Sequence, residues 1–301
     1  MAGIVLHLLL LLLVPPLLVG VINKTKSFFS GRSGPPLFQA YRDMARLFGK
    51  GFTFSLTTTW VFKAGPVVAL AAALLAGVLV PFGGPPPAGF AGDAILFAYL
   101  FALSRFFTMT AALDTGSAFE GMGAAREGTF ACFAEPILFF VFLALARISG
   151  SLQLGEMLFG AQFFSSWGNG PALALLAAGL FVLLLAENCR IPFDDPNTHL
   201  ELTMIHEVMV LDHSGPLFGL VQYGAAVKLF VLGSVLVRVI APFSAGSLAT
   251  DTALFLVLMV LLAAVIGVVE SAMARLRLTK VPNLLVAACV LCAFGFLLLL
   301  R

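Results

Sequence analysis

Charge is scarce in this chain, and the scarcity excludes more than any single motif does. Of 301 residues only 11% are Asp, Glu, Lys or Arg, against 60% apolar residues and a mean hydropathy of +1.06. So little polar surface cannot cover a soluble globule. The formal net charge of +2 is too small for a nucleic-acid partner. Strict alternation of apolar and polar residues, which a membrane barrel needs, is missing too. There are four cysteines: Cys132, Cys289 and Cys292 sit in apolar runs, and Cys189 sits beside a charged loop. The pair Cys289 and Cys292 has Cys-x-x-Cys spacing but no second pair, so it reads as packing rather than metal or redox chemistry. No Walker A loop, no dinucleotide fingerprint between a strand and a helix, and no cysteine set for an iron–sulfur centre is present.

What the chain has instead is apolar runs long enough to cross about 30 Å of hydrocarbon as helices. They fall at 4–22, 60–80, 93–113, 131–148, 171–188, 217–240, 252–273 and 284–300. The expected fold is an all-α polytopic membrane protein, a single integral membrane domain over 1–301 with eight transmembrane helices. Four charged loops, 23–59, 114–130, 189–216 and 274–283, alternate with nearly uncharged ones. The first run has no basic residue before it and carries Lys24 and Lys26 after it, the reverse of a signal peptide, and reads as a retained helix kinked at Pro15 and Pro16. Every basic residue in the loops falls in those four, so they are expected in the cytoplasm, with both termini outside. The long first loop contains LFQAYRDMARLFGKGF, apolar on one face and basic on the other, which predicts an amphipathic helix. That helix either rests on anionic headgroups, or docks a partner or lines a cavity mouth.

Several ionisable residues interrupt the apolar runs. Arg105 lies near the middle of the third, Glu135 just before Pro136 in the fourth, Glu187 at the end of the fifth and Lys228 inside the sixth; Lys63 enters the second. An arginine at that depth needs partners, and Asp114, Glu120 and Glu127 follow in the next loop. Desolvation raises carboxylate pKa values and depresses those of lysines, and groups poised near neutrality can pass protons. A chain of such acids is the usual sign of an ion path; structural ion pairs that fix helix register are the alternative. The densest polar stretch, AENCRIPFDDPNTHLELTMIHEVMVLDHSGP, runs from Ala186 to Pro216. It fails the zinc-protease pattern, because position 210, where the second histidine would stand, is Val210.

This stretch resembles the Glu-Asn/Thr-x-Arg-x-Pro-Phe-Asp signature of the respiratory-chain NADH dehydrogenase subunit 1 family, the membrane subunit of complex I that meets the peripheral arm. GRSGPPLFQAYRDMARLF, FEGMGAAREGTFACFAEP, DHSGPLFGLVQYG and ARLRLTKVPNLL are similar to further segments of that family, in the same order. The wording DDPNTHLELTMIHE, with Asp195 and His199 replacing part of an acidic series and Glu201 retained, resembles the membrane subunit of group 4 nickel–iron hydrogenases of the formate hydrogenlyase and hydrogenase-4 type.

That resemblance implies a non-catalytic membrane subunit that anchors a soluble redox module and couples it to proton or cation movement. Implied partners are hydrogenase large and small subunits, an iron–sulfur subunit, antiporter-like membrane subunits and the lipid bilayer of the cell inner membrane. The nickel–iron and iron–sulfur centres are expected in those partners and none in this chain. By the same resemblance Glu135, Glu187, Glu201, Lys228 and Arg105 belong to a proton path. Arg190, Asp194, Asp195, His199, Glu120 and Arg126 belong to the partner interface and its loops. A quinone-binding subunit of complex I is the alternative, and a stand-alone ion transporter the third; no internal repeat relates the two halves of the chain, as many transporters would show.

Overall fold

The computed structural model describes residues 2–159, 169–194, 203–242 and 246–300. All regular structure among them is helical. The first run forms two helices, α1 (Ala2–Leu13) and α2 (Pro15–Phe29), bent by 45° at the break. Proline at the first positions of α2 removes the N–H that would continue α1, which places the bend there. Contrary to the expected end near residue 22, α2 continues to Phe29, because Gly31, at φ +66°, is the first residue to break it. The amphipathic segment forms α3 (Gln39–Phe48), with Met44 on its buried side.

Six long helices follow: α4 (Trp60–Leu79), α5 (Asp93–Asp114), α6 (Ala118–Ser149), α8 (Gly170–Glu187), α9 (Gly215–Ile240) and α10 (Leu248–Ala272). A short α7 (Leu154–Phe159) lies between α6 and α8, and α11 (Val281–Leu298) ends the bundle after a 3₁₀ turn. Among the described residues seven single helices are long and apolar enough to cross a membrane, and the bent α1–α2 pair, taken as one span, makes eight. The centre is α9, in which every residue from 229 to 239 is buried. A helix buried on all sides has no lipid stripe and orders its neighbours around it.

One boundary differs in a way that matters. The stretch 114–130, expected as a loop, is helical from Ala118 onward and continuous with the fourth span. At 1.5 Å per residue this 32-residue helix is roughly 48 Å long, well beyond the ~30 Å hydrocarbon layer, so its first turns extend past the membrane. Its glycines suggest a turn, but Gly123 is needed for contact: a Cβ there would collide with Val208 and Met209. Packing therefore overrides the weak helix propensity of glycine.

Side-chain caps join the helices. Asp114, at the end of α5, accepts hydrogen bonds from the Thr59 N–H (2.7 Å), the Thr59 hydroxyl (2.8 Å) and the Phe62 N–H (3.2 Å), closing the start of α4 beside it. Asp93, fully buried at the other end of α5, accepts from the Leu154 N–H at 2.5 Å. Elsewhere small residues let backbones meet. Cys292 of α11 fits against Gly179 of α8, in keeping with a packing role for that thiol. Gly267 of α10 faces Thr25 and the Ile22 carbonyl of α2, where an added Cβ would lie 2.7 Å from the Thr25 Cβ. Gly267→Val is therefore expected to cost about 1–3 kcal/mol by overpacking, read as a lowered thermal midpoint of the detergent-solubilised chain. An unchanged midpoint would mean that α2 and α10 are not held in this contact.

Candidate functional site

Five elements converge at the charged-loop end of the bundle. Arg105, in mid-α5, is buried, and its guanidinium spreads over three carboxylates. Nε lies 3.1 Å from Glu127, one Nη 2.5 Å from Glu135, and the other Nη is hydrogen-bonded to Glu187. Glu127 and Glu135 come from α6 and Glu187 from the last turn of α8. From α9, Lys228 reaches the second oxygen of Glu187 at 2.6 Å. His206, on the charged segment that precedes α9, places Nε2 3.0 Å from the second oxygen of Glu127. A planar fork with five donors is the group suited to hold several carboxylates at once; lysine is not.

The segment carrying His206 is fixed by charged side chains on three sides. Asp194, fully buried, accepts from the N–H groups of Ile205 (2.8 Å) and His206 (3.2 Å), while its other oxygen pairs with Arg275 at 2.9 Å. Arg275 also bonds the Thr203 carbonyl and, at 3.1 Å, its hydroxyl. From the extended part of α6, Arg126 donates to the Met204 carbonyl (2.7 Å) and Glu120 accepts from the Asp212 N–H (3.0 Å). A second buried acid, Glu270 near the end of α10, holds Lys26 at 2.8 Å and Arg190 at 3.3 Å. Arg190 follows Cys189, which takes a left-handed φ of +53° to turn the chain out of α8.

Beside the cluster lies a cavity of about 200 Å³, room for several waters. One wall is small and apolar, with Gly65, Ala69 and Ala73 of α4; the other carries Arg105, Glu127, Glu187, Cys189, His206 and Lys228. His213 closes one side of it, stacked on Phe62 with ring centroids 4.0 Å apart. Burial lowers the pKa of His213 despite its hydrogen bond to the Phe62 carbonyl, so it is neutral near pH 7. For His206 burial acts in the same direction, but the Glu127 carboxylate at its Nε2 opposes it, and the imidazole is held well above its ordinary value. Desolvation raises the Cys189 thiol, opposed by His206, so it stays protonated.

Of the residues singled out from the sequence, Arg105, Glu135, Glu187 and Lys228 come together in one cluster. Arg190, Asp194, Glu120 and Arg126 lie around it as ties of the flanking segments. Asp195, His199 and Glu201 lie outside the described residues. Lys63 is not part of the group; it sits over the Phe54 ring at 4.4 Å. From the sequence, Glu127 is only one of several possible partners of Arg105, and His206 stands out only for its failed metal-ligand spacing. Glu127 stands seven residues after Glu120, a same-face spacing that becomes visible once 118–130 is read as helix. Among the described residues no group of three or more His, Cys, Asp or Glu is arranged to hold a metal ion.

Fold and site together define a polytopic helical membrane protein with an arginine–carboxylate cluster and a partly polar cavity inside the bundle. The profile of the NADH dehydrogenase family matches residues 2–301, and the chain belongs to that family. Formate hydrogenlyase subunit 4 of Escherichia coli (strain K12) is 31% identical over 297 residues, covering 96% of this chain and 93% of that protein. Hydrogenase-4 component C of the same strain is 32% identical over 278 residues, covering 89% and 86%. A subunit of the NADH-quinone oxidoreductase of Anaplasma phagocytophilum (strain HZ) is 27% identical over 227 residues, covering 68% and 66%. Among solved structures, a chain of the membrane-bound sulfane sulfur reductase, an archaeal respiratory membrane complex, superposes with a TM-score of 0.84 over 99% of this chain and 98% of that one. At 21% identity it shares the fold.

Removing Arg105 would leave three carboxylates together in a low-dielectric site. Arg105→Ala is expected to destabilise the protein by about 3–5 kcal/mol. Arg105→Lys, which keeps the charge but cannot bridge three acids, should recover only part of that loss in thermal unfolding of the detergent-solubilised protein. Full recovery by lysine would show that charge alone, not the fork, holds the cluster.

Proposed function

We propose that this chain is the membrane anchor and coupling subunit of a multi-subunit group 4 nickel–iron hydrogenase, of the formate hydrogenlyase or hydrogenase-4 type. The observation that carries this reading is the similarity, over 96% of the chain, to formate hydrogenlyase subunit 4. In this role the charged-loop end docks the soluble module, whose nickel–iron and iron–sulfur centres lie in partner subunits. Arg190, Asp194 and Arg126 hold the docking segments in place, with Glu120 on the facing side. Glu135, Glu187 and Lys228, ordered by Arg105, form the membrane part of a proton or cation path, and Glu201 its loop member. The one-sided distribution of basic loops supports a cell inner-membrane protein with both termini outside and the charged loops in the cytoplasm. Antiporter-like membrane subunits complete the set of partners.

A second reading, the quinone-binding subunit of an NADH-quinone oxidoreductase, draws on the relatives of that kind and on the cavity beside the cluster. Its weakness is coverage: about two thirds of this chain, against nearly all of it for the hydrogenase subunits.

Affinity purification through a tag on this chain in mild detergent separates these readings. Nickel in the purified material and hydrogen evolution from a reduced dye are the expected results. Iron without nickel, with inhibitor-sensitive quinone reduction, would replace the hydrogenase assignment by the quinone one, and recovery of the chain alone would favour a transporter. Within the complex, Glu187→Gln preserves shape and removes the charge facing Lys228. It is expected to lower turnover-coupled ion movement about tenfold or more, and unchanged coupling would reduce Glu187 to a structural ion-pair partner.

A further inference from the structure

The charges around Arg105 do not cancel without one more proton. Glu127, Glu135 and Glu187 contribute three negative charges, and Arg105 and Lys228 two positive ones. An uncompensated charge in a membrane interior is costly, and titratable groups there take up or lose protons rather than bear it. Among the described residues, the further group of opposite type touching the set is His206, at 3.0 Å from Glu127. Among the described residues, the ionisable groups around the imidazole are Glu127 from α6, Glu187 from α8, Cys189, and Asp194, which accepts the His206 backbone N–H. Arg105 and Lys228 lie behind the two glutamates.

We propose that His206 carries the proton that neutralises the cluster and shares it with Glu127, so that the segment 203–213 sets whether the membrane acids hold or release it. The transfer is simple. Imidazolium Nε2–H gives its proton to Glu127, leaving a neutral imidazole and a neutral carboxylic acid; the reverse step restores the ion pair. The geometry makes the segment a lever on this step, because the side-chain ties that hold it come from several other elements. Asp194 and Arg275 hold one end, Arg126 the Met204 carbonyl, and Glu120 the far end at Asp212, while Val208 and Met209 sit on Gly123. Withdrawal of the segment would remove the positive charge from Glu127 and leave Arg105 as its remaining cationic partner among the described residues. The elevated pKa of His206 agrees with the neutralising role. This inference deepens the coupling role proposed above and rests on it for its purpose, though not for its chemistry.

The test is a pH titration of the full chain in lipid nanodiscs with ¹⁵N-labelled histidine. The sequence has four histidines, and the signal lost in His206→Gln assigns the relevant imidazole. His206 should remain doubly protonated well above the ordinary histidine value of about 6.5, and Glu127→Gln should bring it down by about one unit or more. The remaining histidine signals report whether the variant is folded. If Glu127→Gln does not fold, Glu127→Asp, which draws the charge back by one methylene, should lower the value part-way. An ordinary or depressed value in the unmodified chain, or one indifferent to both substitutions, overturns the proposal and moves the proton elsewhere, Glu135 being the next acid on Arg105. In the purified complex, His206→Gln should shift the pH profile of coupled ion movement, and an unshifted profile would remove the lever. Since the titration reads this chain alone, a complex that evolves no hydrogen would sink the hydrogenase assignment and leave the protonation result standing.

Discussion

Much of this structure follows from one constraint: a guanidinium placed half-way along an apolar helix has to be satisfied by the protein. Arg105 cannot extend to bulk solvent as it would at a helix end, and arginine does not give up its proton, so carboxylates must be brought to it. They come from two other helices, and the need fixes how α5, α6 and α8 are turned relative to one another. Lys228 then adds α9, the most enclosed helix, through Glu187. Four long helices are thus registered by one connected set of ion pairs, in an environment where apolar contacts say little about register because lipid is as apolar as the helices themselves.

The same set reaches out of the membrane. The extension of α6 presents Glu120, Gly123, Arg126 and Glu127 along successive turns, and the segment 203–213 is bound at each. On the far side, Glu270 gathers Lys26 from the end of α2 and Arg190 from the turn after α8, while Arg275 holds Asp194. Loops that would ordinarily be solvated connectors are therefore tied to buried acids. Such ties let an event at the loops alter charge inside the bundle: a shift at Met204, or at the Asp194 carboxylate that holds the His206 N–H, displaces the histidine that faces Glu127.

The membrane class, the number of spans and four of the residues that meet in the cluster, Arg105, Glu135, Glu187 and Lys228, are legible in the sequence, because an ionisable residue in an apolar run is conspicuous by composition alone. Its pairing is not legible. Which acid meets Arg105 depends on helix rotation, and helix rotation depends on the very pairs in question. Reading 114–130 as a loop hides Glu127: Gly121, Gly123 and Gly128 are a turn signal when local propensity is all one has, and the 3₁₀ turn at 207–210 seated on Gly123 explains why the helix keeps a glycine there. His206 is overlooked for a similar reason. It fails as a zinc ligand, yet its role depends on a single long-range neighbour that no spacing rule reports. The bend at Pro15 and Pro16, by contrast, is a local backbone effect and is readable from two residues.

The three acids on Arg105 are not equivalent, and the difference bears on whether the chain works alone. Glu127 and Glu187 are closed in, with side chains 7% and 10% exposed, whereas Glu135 is 47% exposed. It opens beside Tyr99 and Phe139, on a face of α5 and α6 where Phe106 and Leu143 are exposed as well. A carboxylate at this depth facing hydrocarbon would cost several kcal/mol, more than its pairing with an already shared guanidinium can offset with one side unprotected. An autonomous transporter would be expected to enclose such a group within its own bundle. A component of a larger assembly is under no such constraint, since the neighbouring membrane chain can cover it. The openness of Glu135 thus favours an assembled complex on grounds independent of the relatives.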